Sequence, residues 1–320
     1  FAAWHRSHFN IPVIGITGSN GKTIVKEWLW QMLHHEENIV RSPGSWNSQV
    51  GVPLSVLRMG PEHTLGIFEA GISKPGEMEK LEPIIRPTIG VLTNIGDAHD
   101  EGFHGDRKLK ASEKRKLFKG AEVVIRHSLG GERADTDLTI GPDEGDFVQV
   151  HETQVLSGSC SIDIAHDGVG SSFIIPFDDN ASIENAITCI AVLLRSGKSP
   201  AWIRERVAHL VPVDMRMRAL QGRHGTTLID DSYSLDKSSL ASALDHLRRV
   251  AHGRPMVVVL SDVAESGGDQ AELYEEVAQD LRRCGVQQVI GAGAMIAEHK
   301  GPFGESARFH ADTVSLLQRE

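Results

Sequence analysis

With 320 residues the chain has room for two domains, and 40% hydrophobic with 5% aromatic residues is ordinary for a soluble α/β protein. A net charge of −10, from 33 basic and 43 acidic side chains with no basic tract to offset it, excludes nucleic acid as the main partner, so a polyanionic ligand must be held by local devices. No apolar run approaches the ~18 residues of a membrane span, no signal peptide is visible, and the scattered Cys160, Cys189 and Cys284 read as inert thiols of a reducing cytosol.

Phe1 to Asn10 reads as a short helix or linker. Val13 to Ile16 is an apolar strand running into a turn of glycine and small polar residues, Thr17-Gly18-Ser19-Asn20-Gly21. From Lys22 and Thr23 a helix begins, with Ile24, Val25, Trp28, Leu29, Met32 and Leu33 at helical spacing and Lys26, Glu27 and Gln31 between them. Strand, glycine turn and helix N-terminus make a phosphate cradle. The N–H groups of Gly18, Ser19, Asn20 and Gly21 point inward, Lys22 supplies a point charge, and the Thr23 hydroxyl suits Mg²⁺. The usual phosphate-loop pattern has its first glycine where this chain has Ile16; Gly15 and Gly18 flank that position instead.

Ser42 to Pro53 is a polar, glycine-bearing loop containing Asn47, either a surface connection or a face for substrate. Leu65 to Ala70 is an apolar run ending in Glu69. An acid at the end of a buried strand is costly unless paired or metal-bound, and ligands of parallel sheets lie beyond the strand carboxyl ends, so Glu69 is a candidate Mg²⁺ ligand or a salt-bridged acid. Thr88 to Asn94 is the next strand, followed by Asp97 and His99. Arg107 to Lys119 is a basic helical run that, on its residues alone, predicts a solvated face.

Glu122 to Ile125 is a strand, and the short alternating runs from Asp146 to Ile175 predict antiparallel hairpins. Ala181 to Arg195 returns to helix, with Ile183, Ala186, Ile187, Ile190 and Leu194 on one face and Asn185 near its start. Val211 to Arg216 predicts the boundary between domains 1–212 and 213–320. Beyond it, Thr227 to Tyr233 is a strand carrying Asp230 and Asp231, Leu240 to Val250 a helix, and Met256 to Asp262 a buried strand. A helix over Ala271 to Arg283 and a strand Val286 to Ile290, entering a tight Gly291-Ala292-Gly293 turn, complete a β-α-β alternation. The expected fold is α/β: a phosphate-loop parallel sheet with a small antiparallel section, then a second Rossmann-like α/β domain.

Gly15-Ile16-Thr17-Gly18-Ser19-Asn20-Gly21-Lys22-Thr23, followed by Val25-Lys26-Glu27, resembles the ATP loop of the Mur ligases, the amino-acid-adding enzymes of peptidoglycan synthesis, in their MurF branch. The rest of the chain resembles that branch in the same order. Asn47 before Gly51-Val52-Pro53 matches its Asn-rich loop, Glu69 its metal-binding strand glutamate, and His99 a histidine that helps hold a second Mg²⁺. Lys114-Arg115-Lys116-Leu117-Phe118 matches the segment whose lysine is carbamylated in many members; Lys114 is the choice, with Lys110 and Lys116 as competitors. Asn185-Ala186 matches the adenine helix, Arg216 an arginine that reaches the nucleotide phosphates, and Asp230-Asp231-Ser232-Tyr233 the segment whose second aspartate contacts the ribose. Ser234-Leu235-Asp236 departs from the family there.

The resemblance implies a cytoplasmic, ATP- and Mg²⁺-dependent ligase with two metal sites. It joins D-alanyl-D-alanine to UDP-MurNAc-tripeptide through an acyl phosphate, with Lys22, His99 and Lys114 as catalytic groups. Another amino-acid ligase of the superfamily, or a non-catalytic nucleotide-binding module, are the alternatives. The resemblance also implies that the N-terminal domain gripping the UDP-sugar is missing, since the loop strand starts near residue 13, and that the C-terminal domain is truncated. Alone, the chain is then expected to be weak or inactive, and its parent a candidate fusion with an alanine racemase.

Overall fold

A computed structural model describes residues 1–96, 101–103, 105–128, 134–233, 235–263 and 269–319. The chain forms two compact units, one of Phe1–Gly96 with Asp106–Val211 and one of Pro212–Glu320 with the 97–105 segment. His99 and Ser234 lie outside the described residues.

In the first unit the strands are β1 (Val13–Thr17), β2 (Ile39–Arg41), β3 (Leu65–Glu69), β4 (Ile89–Leu92), β5 (Val123–His127), β6 (Asp137–Gly141), β7 (Val148–Leu156), β8 (Ser159–His166) and β9 (Val169–Ile175). The helices are α1 (Ala2–Arg6), α2 (Lys22–Leu33), α3 (Gly51–Val56), α4 (Met78–Ile85), α5 (Arg107–Arg115), α6 (Asn180–Arg195) and α7 (Pro200–Val207). The strands make one sheet in the order β2-β3-β1-β4-β5-β6-β7-β8-β9, parallel from β2 to β7 and antiparallel from β7 to β9.

The parallel strands read as continuous apolar runs because they are covered on both faces: every residue of β1 and of β3 is buried. Ile14 pairs with Ile67 on one side and Ile89 on the other, placing β1 between β3 and β4. The strand order reverses around β1, and the loop after it opens at the carboxyl edge where such sheets bind ligands. Helix α2 buries Val25, Trp28, Leu29, Met32 and Leu33, each contributing about 1.5–3 kcal/mol of hydrophobic stabilisation. Trp28 stacks on Phe177 with ring centroids 4.7 Å apart.

The expected antiparallel hairpins of 146–175 are β7 to β9; they extend the parallel sheet, which β7 joins in parallel through β6, a strand whose mixed residues Asp137-Leu138-Thr139 hide its pattern. Three expectations need correction. The polar loop from Ser42 is shorter than expected, because Gly51–Val56 is helical with Pro53 in its first turn, where a missing N–H costs nothing. The basic run 107–119 is not merely a solvated face, since Lys110 and Lys114 are fully buried. Lys26 is likewise buried rather than facing water between apolar neighbours.

In the second unit the elements are β10 (Arg218–Gln221), β11 (Thr227–Asp230), α8 (Lys237–Ala251), β12 (Val257–Ser261), α9 (Gln270–Cys284), β13 (Gln288–Ala292), α10 (Ala294–Glu298), β14 (Arg308–His310) and α11 (Thr313–Arg319). Strands β12, β13 and β14 are parallel, and α8 and α9 pack Leu240, Leu244, Leu273, Tyr274, Val277 and Leu281 into their core. Strand β11 does not join that sheet among the described pairings; it forms an antiparallel ribbon with β10. Among the described residues no helix is long and apolar enough to cross a membrane.

Candidate functional site

The turn between β1 and α2 is held by the exit of β4. Ser19 N donates to Asn94 O at 2.9 Å, Asn20 N to Asn94 Oδ1 at 2.9 Å, and the Thr93 hydroxyl to Asn20 O at 2.6 Å. Gly96 N donates to Ser19 Oγ at 2.9 Å. Gly18 has φ +147°, and a Cβ there would lie 1.9 Å from Thr93 Oγ1; at Gly21, with φ +82°, it would lie 2.3 Å from Asn185 Oδ1. Both glycines are therefore required by close approach as well as by backbone conformation. Gly18→Ala is expected to displace the loop, weakening nucleotide binding at least about tenfold, or about 1.4 kcal/mol, in calorimetry with an ATP analogue. Unchanged affinity would count against the loop as the phosphate site.

Lys22 heads α2, and its ammonium donates to Gly18 O and Ser19 O, both at 2.8 Å. Lys114, near the end of α5, donates to the same Gly18 carbonyl at 3.0 Å. Lys110, one turn earlier, donates to Gly96 O at 2.6 Å. Burial, followed by the Lys22 and Lys110 charges, pulls the Lys114 amine well below the ordinary lysine value. Lys116 is placed elsewhere: it pairs with Glu113 at 2.5 Å and Glu79 at 2.8 Å on a partly exposed face. Of the three candidate lysines, the structure brings Lys110 and Lys114 to the loop, and Lys116 not.

Glu69, fully buried at the carboxyl end of β3, accepts from Thr23 Oγ1 at 2.9 Å through Oε2 and from Lys26 Nζ at 3.1 Å through Oε1. Thr23 Oγ1 also lies 2.8 Å from Ser45 Oγ, so the 42–48 loop folds over the start of α2. Asn47 sits beside the end of β3, its carbonyl accepting from Gly71 N at 2.8 Å. Thr23, Glu69 and Ser45 offer only oxygens, which is the donor type of Mg²⁺. Among the described residues no three His, Cys, Asp or Glu side chains gather as a metal site. Mg²⁺ does not need such a cage, since one or two carboxylates plus substrate phosphates suffice, and the Thr23–Glu69 pair fits it.

Asn185, buried in α6, packs its amide against Gly21. The neighbouring residue Glu184 lines a cavity of about 350 Å³, together with His127, Ile140, Thr153, Asn180 and Ile187. Burial lowers the His127 imidazole from its ordinary value, against a hydrogen bond with Glu184 that raises it; its Nε2 lies 3.1 Å from Thr188 Oγ1.

Arg216 and Asp231 both belong to the second unit. The Arg216 guanidinium lies 3.9 Å over the Tyr233 ring. Asp231 Oδ1 accepts from Met217 N at 3.2 Å; burial raises its carboxyl above the ordinary value, outweighing that bond and the Arg216 charge. Sequence reasoning missed Ser45, Lys26, Thr93 and Asn94. The only available signal was the i, i+4 spacing of Lys22 and Lys26, which sets both on one face of α2.

A glycine loop at the carboxyl edge of a parallel sheet, backed by a lysine, a helix-N-terminal hydroxyl and a buried strand acid, defines a phosphate-loop protein. The family model of the Mur ligase middle domain matches residues 16–193, and that of the Mur ligase glutamate ligase domain matches residues 215–319. The chain belongs to the Mur ligase family. It is 26% identical, over 99% of its length and 72% of the relative's, to UDP-N-acetylmuramoyl-tripeptide–D-alanyl-D-alanine ligase of Escherichia coli K12. Its fold matches MurF of Acinetobacter baumannii with a TM-score of 0.85 at 22% identity, over 99% of this chain and 71% of that one. It also matches MurF ligase of Thermotoga maritima in complex with ADP, with a TM-score of 0.80 at 21% identity over 100% of this chain and 76% of that one.

Proposed function

We propose that the chain performs ATP-dependent amide-bond formation in peptidoglycan precursor synthesis in the cytoplasm, joining D-alanyl-D-alanine to UDP-MurNAc-tripeptide. The observation that carries this reading is the convergence of Lys22, Lys114 and the Thr23–Glu69 pair on one loop, in a chain similar along nearly its whole length to ligases of that name. The substrate carboxylate attacks the γ-phosphorus of ATP, ADP leaves, and an acyl phosphate forms. The dipeptide amine then attacks the acyl carbon, losing a proton, and phosphate departs.

Backbone N–H groups of the loop bind the phosphates, and Lys22 turns from its loop carbonyls to the transferred group, where positioning and charge do most of the work. Asn185 and the adjoining cavity take the base, a volume within the range of small-molecule sites. Arg216 and Asp231 serve phosphate and ribose, and Asn47 the sugar-peptide substrate. Thr23 and Glu69 would hold one Mg²⁺, with His99 and Lys114 contributing to a second. When bound, the metal supplies charge neutralisation of the phosphates.

Burial beside Lys22 and Lys110 lowers the Lys114 amine and so favours its neutral form, the form that adds CO₂ to give a carbamate and a proton. Lys114→Ala is accordingly expected to lose most activity and to regain part of it with added short carboxylates. Absence of rescue, with an unmodified lysine in mass spectra recorded in bicarbonate, would remove the carbamate.

Substrate dependence rather than rate tests the whole reading. ADP and phosphate should appear in equal amounts only when UDP-MurNAc-tripeptide and D-alanyl-D-alanine are both present. Release driven by glutamate or another single amino acid would move the chain to a different branch of the family.

A further inference from the structure

The mechanism above leaves Lys26 unused. Its side chain is fully buried one turn after Lys22, and its ammonium donates to Ser42 O at 2.8 Å, to Gly44 O, and to Glu69 Oε1 at 3.1 Å. Glu27 Oε1 lies 3.2 Å away. A buried ammonium costs more than an apolar side chain of the same volume, so packing alone does not account for it.

What the ammonium does is join three segments. It fixes one oxygen of Glu69 at the end of β3, leaving Oε2 turned to Thr23 Oγ1 at 2.9 Å. It also pins the backbone on both sides of Pro43, and the next residue, Ser45, meets Thr23 Oγ1 at 2.8 Å. The hydroxyls of Thr23 and Ser45 and the outer oxygen of Glu69 therefore face one another because Lys26 holds two of the three supports.

We propose that Lys26 is a positioning residue for the cation site: it aims the second oxygen of Glu69, Oε2, and anchors the Ser42–Ser45 strap so that the Thr23, Ser45 and Glu69 oxygens form one hard-oxygen cluster. This rests on the reading of Thr23 and Glu69 as Mg²⁺ ligands. Charge and positioning make opposite forecasts. As a charge, an ammonium beside a ligand carboxylate repels a cation, and its removal would tighten Mg²⁺ binding. As a positioner, its removal loosens the ligand, and partners of metal ligands are typically worth about 10–100-fold in affinity.

The test is a Mg²⁺ titration of the full chain with a fluorescent ADP, comparing wild type, Lys26→Met, Glu69→Gln and the double variant. Lys26→Met should raise the Mg²⁺ midpoint at least about tenfold, while ADP affinity in EDTA shifts less than about twofold. Where Glu69 is already Gln, adding Lys26→Met should move the midpoint less than about twofold, because the two residues act as a unit. A midpoint that is unchanged or falls in Lys26→Met overturns the proposal. If that variant fails to fold, the Glu69→Gln pair decides, since it buries no unpaired carboxylate: a further about tenfold loss on adding Lys26→Met overturns it, and no further loss upholds it. A Mg²⁺-independent wild type, or an unchanged midpoint in Glu69→Gln, strikes the ligand reading itself and is seen before any Lys26 variant is compared.

Discussion

Lys22→Ala should reduce ATP turnover on the order of 10²–10³-fold, several kcal/mol of transition-state stabilisation, while leaving the fold in place. The two halves of that expectation have separate grounds. The ammonium lies within the phosphate cradle and donates at 2.8 Å to the carbonyls of Gly18 and Ser19, acceptors of the loop that it can leave for a phosphate without disturbing the core. When it is removed, Gly18 O still accepts from Lys114 at 3.0 Å, and the loop keeps its bonds to Asn94 and Gly96. For these two bonds the structural loss is then on the order of 1 kcal/mol. Steady-state ADP release and a denaturant melt on the same preparation check both. Turnover near wild type would sink the assignment of the loop as the phosphoryl-transfer site, and a collapse of the melt would show that Lys22 is structural.

The largest loss of stability is expected from Asp137→Ala, about 3–5 kcal/mol, read from the denaturant midpoint. Asp137 opens β6 and is buried. It accepts from Arg126 Nε at 2.6 Å, from Arg115 at 2.8 and 3.2 Å, and from Ala134 N at 3.1 Å. Without the carboxylate, the buried Arg126 guanidinium loses its ion pair with Asp137 in a medium where that is expensive. Burial by itself would raise the Asp137 carboxyl, but the bonds from Arg115, Arg126 and Ala134 outweigh it, and the value lies below that of an ordinary carboxylate. The sign of the pH effect follows. The stabilisation is complete above the unfolded-state value, near 3.9, and is lost as pH falls through the lower folded-state value. Acid unfolding of the wild type should therefore be steep below about pH 4, and the Asp137→Ala variant should lack that component. An Asp137→Ala midpoint matching wild type would show the triad to be energetically neutral. Arg115 is the last residue of α5, next to Lys114, so the same variant should also loosen the lysine over the loop.

Local chemistry alone determined much of this protein. The glycine turn, the onset of α2 at Lys22, the apolar strand ending in Glu69 and the β-α-β texture after residue 227 are legible because each depends on neighbours within one turn or one strand. The positions of Thr23 and Glu69 at adjacent strand and helix ends follow from the same local rules once the sheet is parallel. What the tertiary structure decided is the environment of the charges. Lys110, Lys114 and Lys26 carry the sequence texture of solvated lysines, yet each is buried, because its partner is distant: Lys114 meets a carbonyl 96 residues away and Lys26 a carboxylate 43 residues away. The attachment of β7 through β6, the pairing of β11 with β10, and the fold of Ser45 over Thr23 were equally closed to sequence reading. Periodicity reports which face of an element is apolar; whether a polar residue on the other face meets water or a buried acceptor is set by chain segments that only folding brings together.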